Sequence, residues 1–211
     1  MKKKSFFNRI LQNTRKPEGF FGRIILRGMN CGHAPMARWG MSFLEFQPAW
    51  SVLDIGCGGG ANLAEVLRRC PQGKVCGVDP SPESVAFARR KNRKLLGTRC
   101  FVEQGRADCL PCDEKMFDAV LAFETVYFWE DLPRAFAEIA RVLRDGGRLL
   151  ICCEASDPSN TTWTDRIDGM TVHPAEELEP LLAAAGFGPI DVHRGKGKRL
   201  CIVAQKQEEK R

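Results

Sequence analysis

The sequence holds no apolar run long enough to cross a bilayer, no internal repeat and no low-complexity segment. Those absences set aside a membrane-spanning chain, a solenoid and a largely disordered polymer. Met1-Lys-Lys-Lys-Ser-Phe-Phe-Asn at the start is basic, but its apolar run is two residues long, too short for a secretory signal. The ten cysteines therefore read as reduced thiols in a cytoplasm, not as a disulfide framework. Only one CxxC occurs, Cys109-Leu-Pro-Cys112, and no second CxxC or HxxxH accompanies it, so no metal site is expected. Cys76, Cys100, Cys152, Cys153 and Cys201 stand where small apolar residues belong in strands. Aromatic and basic residues do not interleave as they do in a nucleic-acid groove, so no nucleic-acid partner is expected. There is a single tyrosine, Tyr127.

What remains is 211 residues with a net charge of +6, unevenly placed. Residues 1–50 hold nine of the 32 Lys/Arg against two of the 26 acids, so the other 161 residues carry 23 against 24. The body is nearly neutral, and the basic character belongs to an N-terminal appendage. The expected organisation is a basic helical extension or cap over residues 1–47, one domain over 48–206 and a charged tail over 207–211. In the extension, Phe20, Phe21, Ile24, Ile25 and Leu26 form one apolar cluster. Trp39, Met41, Phe43, Leu44 and Phe46 form a second, and Gly28, Gly32 and Pro35 break the pattern between them.

The body is organised around residues 50–60. Val52, Leu53 and Ile55 read as a short buried strand, followed by Gly56, Gly58, Gly59 and Gly60, and then by a helical pattern through Leu63, Val66 and Leu67. Four glycines in five positions are entropically expensive, which favours a ligand loop over an ordinary turn. From here strands and helices alternate. Val75–Asp79 is a strand ending in an acid, and Ser81 starts the next helix. Residues 100–103 and 117–123 are strands, residues 132–143 an amphipathic helix stopped by Asp145-Gly146-Gly147, and residues 148–153 a further strand. Residues 156–168 are polar and long for a connection, which suits a lid. A helix from His173 to Ala185 and a hairpin, Ile190–Val192 with Leu200–Ala204, complete the chain. The alternation predicts an α/β fold: a Rossmann-like, seven-stranded, mostly parallel sheet with an antiparallel last strand and helices on both faces. Ligands of such sheets bind beyond the carboxyl ends of the strands.

Gly56-x-Gly58-x-x-Ala61 fits a dinucleotide fingerprint, so an NAD-linked oxidoreductase stays open. The same residues also read Asp54-x-Gly56-x-Gly58-x-Gly60, which resembles motif I of class I S-adenosylmethionine (SAM) dependent methyltransferases. Four signals in order carry that resemblance over roughly residues 50–205. They are VLDIGCGGG at 52–60, GVDPSPESVAFAR at 77–89, GRADCLPCDEKMFDAVLAF at 105–123 and FAEIARVLRDGGRLLI at 136–151. The pattern is similar to the type 11 small-molecule enzymes, including those of quinone biosynthesis.

The resemblance implies a methyltransferase moving a methyl group from SAM to a small-molecule acceptor, leaving S-adenosylhomocysteine; a non-catalytic SAM-binding scaffold is the other alternative. Asp79, 21 residues after Gly58, would take the ribose hydroxyls, with Pro80 beside it. Asp108 would accept from the adenine amine, next to the Ala107 backbone. Backbone at Gly56 and at Phe123 or Glu124 would hold the methionine amine, with Asp54 at the mouth of the site supporting the loop or neutralising that end. Cys57 would be small enough for the loop. Trp39, Tyr127, Trp129 and Trp163 would contact the acceptor, with His173 from the later segment. Glu124, Tyr127 and His33 are candidate acids or bases, although an acceptor that is already nucleophilic needs none. The sequence does not give the oligomeric state.

Overall fold

The computed structural model describes residues 33–208; the first apolar cluster and most of the basic residues of the extension lie outside them. Seven strands form one sheet: β1 (Ser51–Ile55), β2 (Lys74–Asp79), β3 (Cys100–Gln104), β4 (Phe117–Phe123), β5 (Leu143–Cys153), β6 (Phe187–Arg194) and β7 (Leu200–Lys206). Among the described residues five helices accompany them: α1 (Ala34–Met41), α2 (Ala61–Arg69), α3 (Pro82–Lys91), α4 (Leu132–Val142) and α5 (Ala175–Ala184). Short 3₁₀ turns cover Val126–Phe128 and Lys196–Lys198.

The strand order is β3-β2-β1-β4-β5-β7-β6, with β7 antiparallel to both neighbours and the pairs from β3 to β5 parallel. The chain winds outward from β1 to β3, then returns to lay β4 on the other side of β1. That reversal opens a crevice at the carboxyl ends of β1 and β4, where a wound sheet binds its ligand. Because side chains alternate along a strand, the sheet builds two cores. Leu53, Ile55, Val120 and Ile151 face α4 and α5; Val52, Leu121, Leu150 and Cys152 face α1, α2 and α3.

Local sequence explains the helices. Leu132, Ala135, Phe136, Ile139 and Val142 recur every three or four residues and are all buried on α4, whose N-cap Asp131 accepts from the Arg134 N–H at 3.0 Å. Ser81 caps α3 through the Ser84 N–H at 3.3 Å. Gly40 brings α1 close to β5, because a Cβ there would meet Cys152 Sγ at 2.8 Å. The chain enters β5 at Leu143, directly after α4, and not at Arg148 as expected; Phe117 pairs with Leu143, and a register irregularity absorbs Asp145-Gly146-Gly147 before Ala119 pairs with Arg148. Cys100, Cys152, Cys153 and Cys201 are fully buried strand residues, Cys76 is half-buried, and the cysteines among the described residues are free thiols. Among the described residues no helix is long and apolar enough to cross a membrane.

Candidate functional site

A cleft of about 570 Å³ opens over the carboxyl ends of β1, β2 and β4. Its floor is the glycine turn after β1. Gly56 at φ +71° and Gly58 at φ +50° have left-handed backbones that other residues rarely adopt. At Gly56 the close neighbour is the Thr125 side chain, which occupies the space a Cβ would need. The Gly56 and Cys57 N–H groups both donate to Val78 O, at 2.7 and 3.1 Å, and the Gly60 N–H donates to Cys57 O at 2.9 Å. Asn92, reaching from the end of α3, donates to Gly60 O at 3.1 Å. The turn is thus braced from inside, and few of its N–H groups remain to meet a pyrophosphate.

Asp79 ends β2 and is 6% exposed. Its Oδ2 accepts from the Gly58 N–H at 2.8 Å and its Oδ1 from the Ser81 N–H at 2.9 Å. Each oxygen keeps a further lone pair for a hydroxyl donor. Burial pushes the carboxyl above its usual value, and the two backbone N–H bonds oppose that. In the same lining, Arg106 holds both oxygens of Asp108 at 3.0 Å, which keeps that carboxyl below its usual value. Gly56, Cys57, Gly58, Asp79, Pro80, Ala107, Asp108, Phe123 and Glu124 therefore share one cavity, although four separate segments supply them. Two acids that can accept hydroxyl and amine donors, in the lining of one cleft of this size, suit a ribose and an adenine.

Asp54 does not stand at the mouth of the site, and of its two expected roles only support of the loop agrees with its place. It is 1% exposed and does not line the cleft; it lies beneath the turn, with Oδ2 buried and unpartnered. Burial, with Asp79 nearby, pushes its carboxyl up to about 8, so at neutral pH it is largely uncharged and cannot neutralise a cation at the mouth. The reason is strand parity: Val52, Leu53, Asp54 and Ile55 are all inside, and a central parallel strand offers no solvent face.

A second chamber of about 480 Å³ adjoins the first and shares His33, Glu124 and Phe128 with it. Residues 155–170 and the β6–β7 hairpin form its walls, with Trp163 and the only tyrosine among its lining. The Tyr127 oxygen accepts from the Ala155 N–H at 2.9 Å and lies 3.3 Å from Glu124 Oε1. Burial pushes the Tyr127 hydroxyl far above its usual value. Glu124 follows β4 with φ +58°, and burial pushes its carboxyl up to about 8. His33 is pulled below its usual value by burial, against the nearby Glu154 charge, 3.9 Å away. The His33, Glu124 and Glu154 side chains converge, each offering an atom within 4.8 Å of the others.

Trp129 lines the outer cleft. Trp39 lies elsewhere: it stacks edge-on against Phe43 and abuts Gly195 of the β6–β7 turn. Met36 and Gly40 face the sheet, and that turns Trp39 toward the hairpin, outside both chambers. His173 borders a separate pocket, with Nδ1 2.9 Å from Glu177. Arg106, Thr125 and Asn92 were not among the expected site residues. Their signal in the sequence is position alone, one or two residues beyond the ends of β3, β4 and α3.

Comparison with known proteins follows the same outline. Residues 52–147 match the family described as "Methyltransferase domain". The chain is 36% identical over 129 residues to a demethylmenaquinone methyltransferase of Symbiobacterium thermophilum, covering 57% of this chain and 50% of that protein. It is 33% identical over 148 residues to the O-methyltransferase cnsE of Penicillium expansum, covering 67% and 53%. The chain thus spans about half the length of these curated relatives. A geranyl diphosphate C-methyltransferase from Streptomyces coelicolor A3(2), solved with Mg²⁺, geranyl diphosphate and S-adenosylhomocysteine, superposes with a TM-score of 0.71 at 19% identity. That superposition covers 82% of this chain and 77% of the other, and at this identity it speaks for the fold.

Proposed function

The chain belongs to the class I SAM-dependent methyltransferases, and on that premise we propose that it transfers a methyl group from SAM to a small-molecule acceptor. The observation that carries this reading is Asp79, fixed by the Gly58 and Ser81 N–H groups and bordering the same cleft as Asp108. Asp79 takes the two ribose hydroxyls with its remaining lone pairs. Asp108, oriented by Arg106, accepts from the adenine amine beside the Ala107 backbone. Carbonyls at Gly56 and at Phe123 or Glu124 receive the methionine amine. Cys57 packs the floor as a thiol, since burial first, with the Asp79 and Asp54 charges adding to it, raises it well above its usual value.

Bound SAM supplies a methyl group on a positively charged sulfur. The residues of the chain do the rest by position: the first chamber fixes the donor, the second receives the acceptor, and the His33–Glu124–Phe128 junction sets the line between them. Phe128, Trp129 and Trp163 are aromatic walls that hold an acceptor in place, and Tyr127 acts through Glu124. In this reading residues 48–206 are the transferase domain; most of the expected cap over 1–47 and of the charged tail over 207–211 lies outside the described residues. Calorimetry with SAM tests the reading: the wild type binds, and Asp79→Ala binds far more weakly. Equal affinity in the two proteins removes the assignment.

A further inference from the structure

Among the described residues Glu124 is the acid that borders both chambers. Its backbone is pinned by its own N–H donating to Cys152 O at 2.9 Å. Its Oε1 accepts from the Glu154 N–H and faces the Tyr127 hydroxyl. Among the described residues no hydrogen bond reaches Oε2. One oxygen is therefore spent on orientation and the other is left open at the junction. Resting on the donor-site reading above, we propose that Glu124 Oε2 is the general base of the transfer, and that the acceptor is a neutral molecule presenting a weakly acidic hydroxyl on an apolar body.

The second chamber selects that acceptor class. Phe128, Trp163, Ile167 and Met170 give it apolar walls. Its charges largely answer one another, Lys198 with Asp157 at 3.6 Å and Arg199 with Glu154 at 4.0 Å, so no strong surplus of either sign calls for an ionic acceptor. In the step, the hydroxyl gives its proton to Oε2 and a lone pair to the methyl carbon. The carbon–sulfur pair stays on sulfur, and Glu124 later returns the proton to solvent.

Every group facing Glu124 enters its titration. Burial raises it to about 8 and the Glu154 charge adds to this, while the Glu154 N–H, the Tyr127 hydroxyl and Arg199 lower it. His33, depressed by burial, is largely neutral near pH 7, and Cys153 acts on Glu124 only as a neutral thiol raised well above its usual value. A base poised near the working pH suits transfer from a weak hydroxyl acid. Its ionised, active form appears as pH rises through about 8, and the donor's positive charge shifts that midpoint downward.

The test has two readouts on the full chain. With glutamate labelled with ¹³C at the side-chain carboxyl, the resonance missing from Glu124→Gln titrates near 8 in the wild type, and Tyr127→Phe moves it upward. A midpoint in the ordinary carboxylate range overturns the proposal. With 1-naphthol as acceptor and SAM carrying a labelled methyl group, Glu124→Gln loses about 100-fold or more in rate together with the alkaline-rising limb of the pH profile. No transfer to 1-naphthol, or an unchanged rate in the variant, also overturns it. SAM affinity measured on the same samples separates the two readings. A wild type that does not bind SAM sinks the donor site, whereas one that binds but shows no dependence on Glu124 sinks only the base.

Discussion

Asp54→Asn isolates a buried acid beneath the glycine turn. The folded chain holds this carboxyl at about 8, against 3.8 for the free group, chiefly because burial disfavours the charge and secondarily because Asp79 is close. Between those two values the native state keeps a proton that the unfolded chain has released. Stability therefore falls as pH rises through this window and levels off above about 8. Each pH unit inside the window removes about 1.4 kcal/mol, so between about pH 5 and pH 7 this one group costs the wild type on the order of 3 kcal/mol. Asparagine has nearly the same shape and no proton to release. Urea unfolding at both pH values, in both proteins, gives four free energies; the other titrating groups cancel when the wild-type change is compared with the variant's. The wild type should lose on the order of 3 kcal/mol more than Asp54→Asn over that interval. Parallel pH dependence in the two proteins would refute the buried, protonated acid and with it the placement of Asp54 under the loop.

Three further substitutions test how the cleft is supported. Gly56→Ala should destabilise by roughly 1–2 kcal/mol for the left-handed backbone, with more from the Thr125 side chain; adding Thr125→Ala should recover part of the second contribution in urea unfolding, since the residue 125 Cβ, 2.7 Å from the new methyl, remains. Arg99 donates to the carbonyls of Gly73 at 3.0 Å, Leu67 at 3.1 Å and Cys70 at 2.6 Å, tying the end of α2 to the start of β3. Arg99→Met should lower unfolding free energy by roughly 1.5–3 kcal/mol. Phe136 is fully buried between α4 and the sheet, and Phe136→Ala should cost about 3–5 kcal/mol with an unchanged urea slope.

The parts of the fold that repeat a period were legible. The VLDIGCGGG strand and turn, the amphipathic stripe of α4 and the polar hairpin at 195–199 each carry a local signal, and the residues that end strands fell into one cleft because parallel topology brings strand ends together. Distance-dependent facts were not legible. A carboxylate after Leu53 looks the same in sequence whether it faces a ligand or lies beneath one, and only the central position of β1 puts Asp54 inside. Trp39 is an aromatic in the N-terminal extension, yet the Met36–Gly40 face of α1 decides where it points. The entry into β5 was misjudged because two glycines after an acid signal a helix stop, and a strand irregularity uses the same residues. Arg106 went unnoticed because its importance lies in the two bonds it makes to Asp108, and those are tertiary facts.

SAM binding to wild type and to Asp79→Ala, measured by titration calorimetry, bears most directly on the central claim. Two charge-assisted hydrogen bonds of roughly 1.5–3 kcal/mol each are lost with that carboxylate. The wild type should bind SAM saturably and one-to-one, and the variant at least about 100-fold more weakly. Affinity that survives the substitution, or a wild type that takes up no SAM, would contradict it.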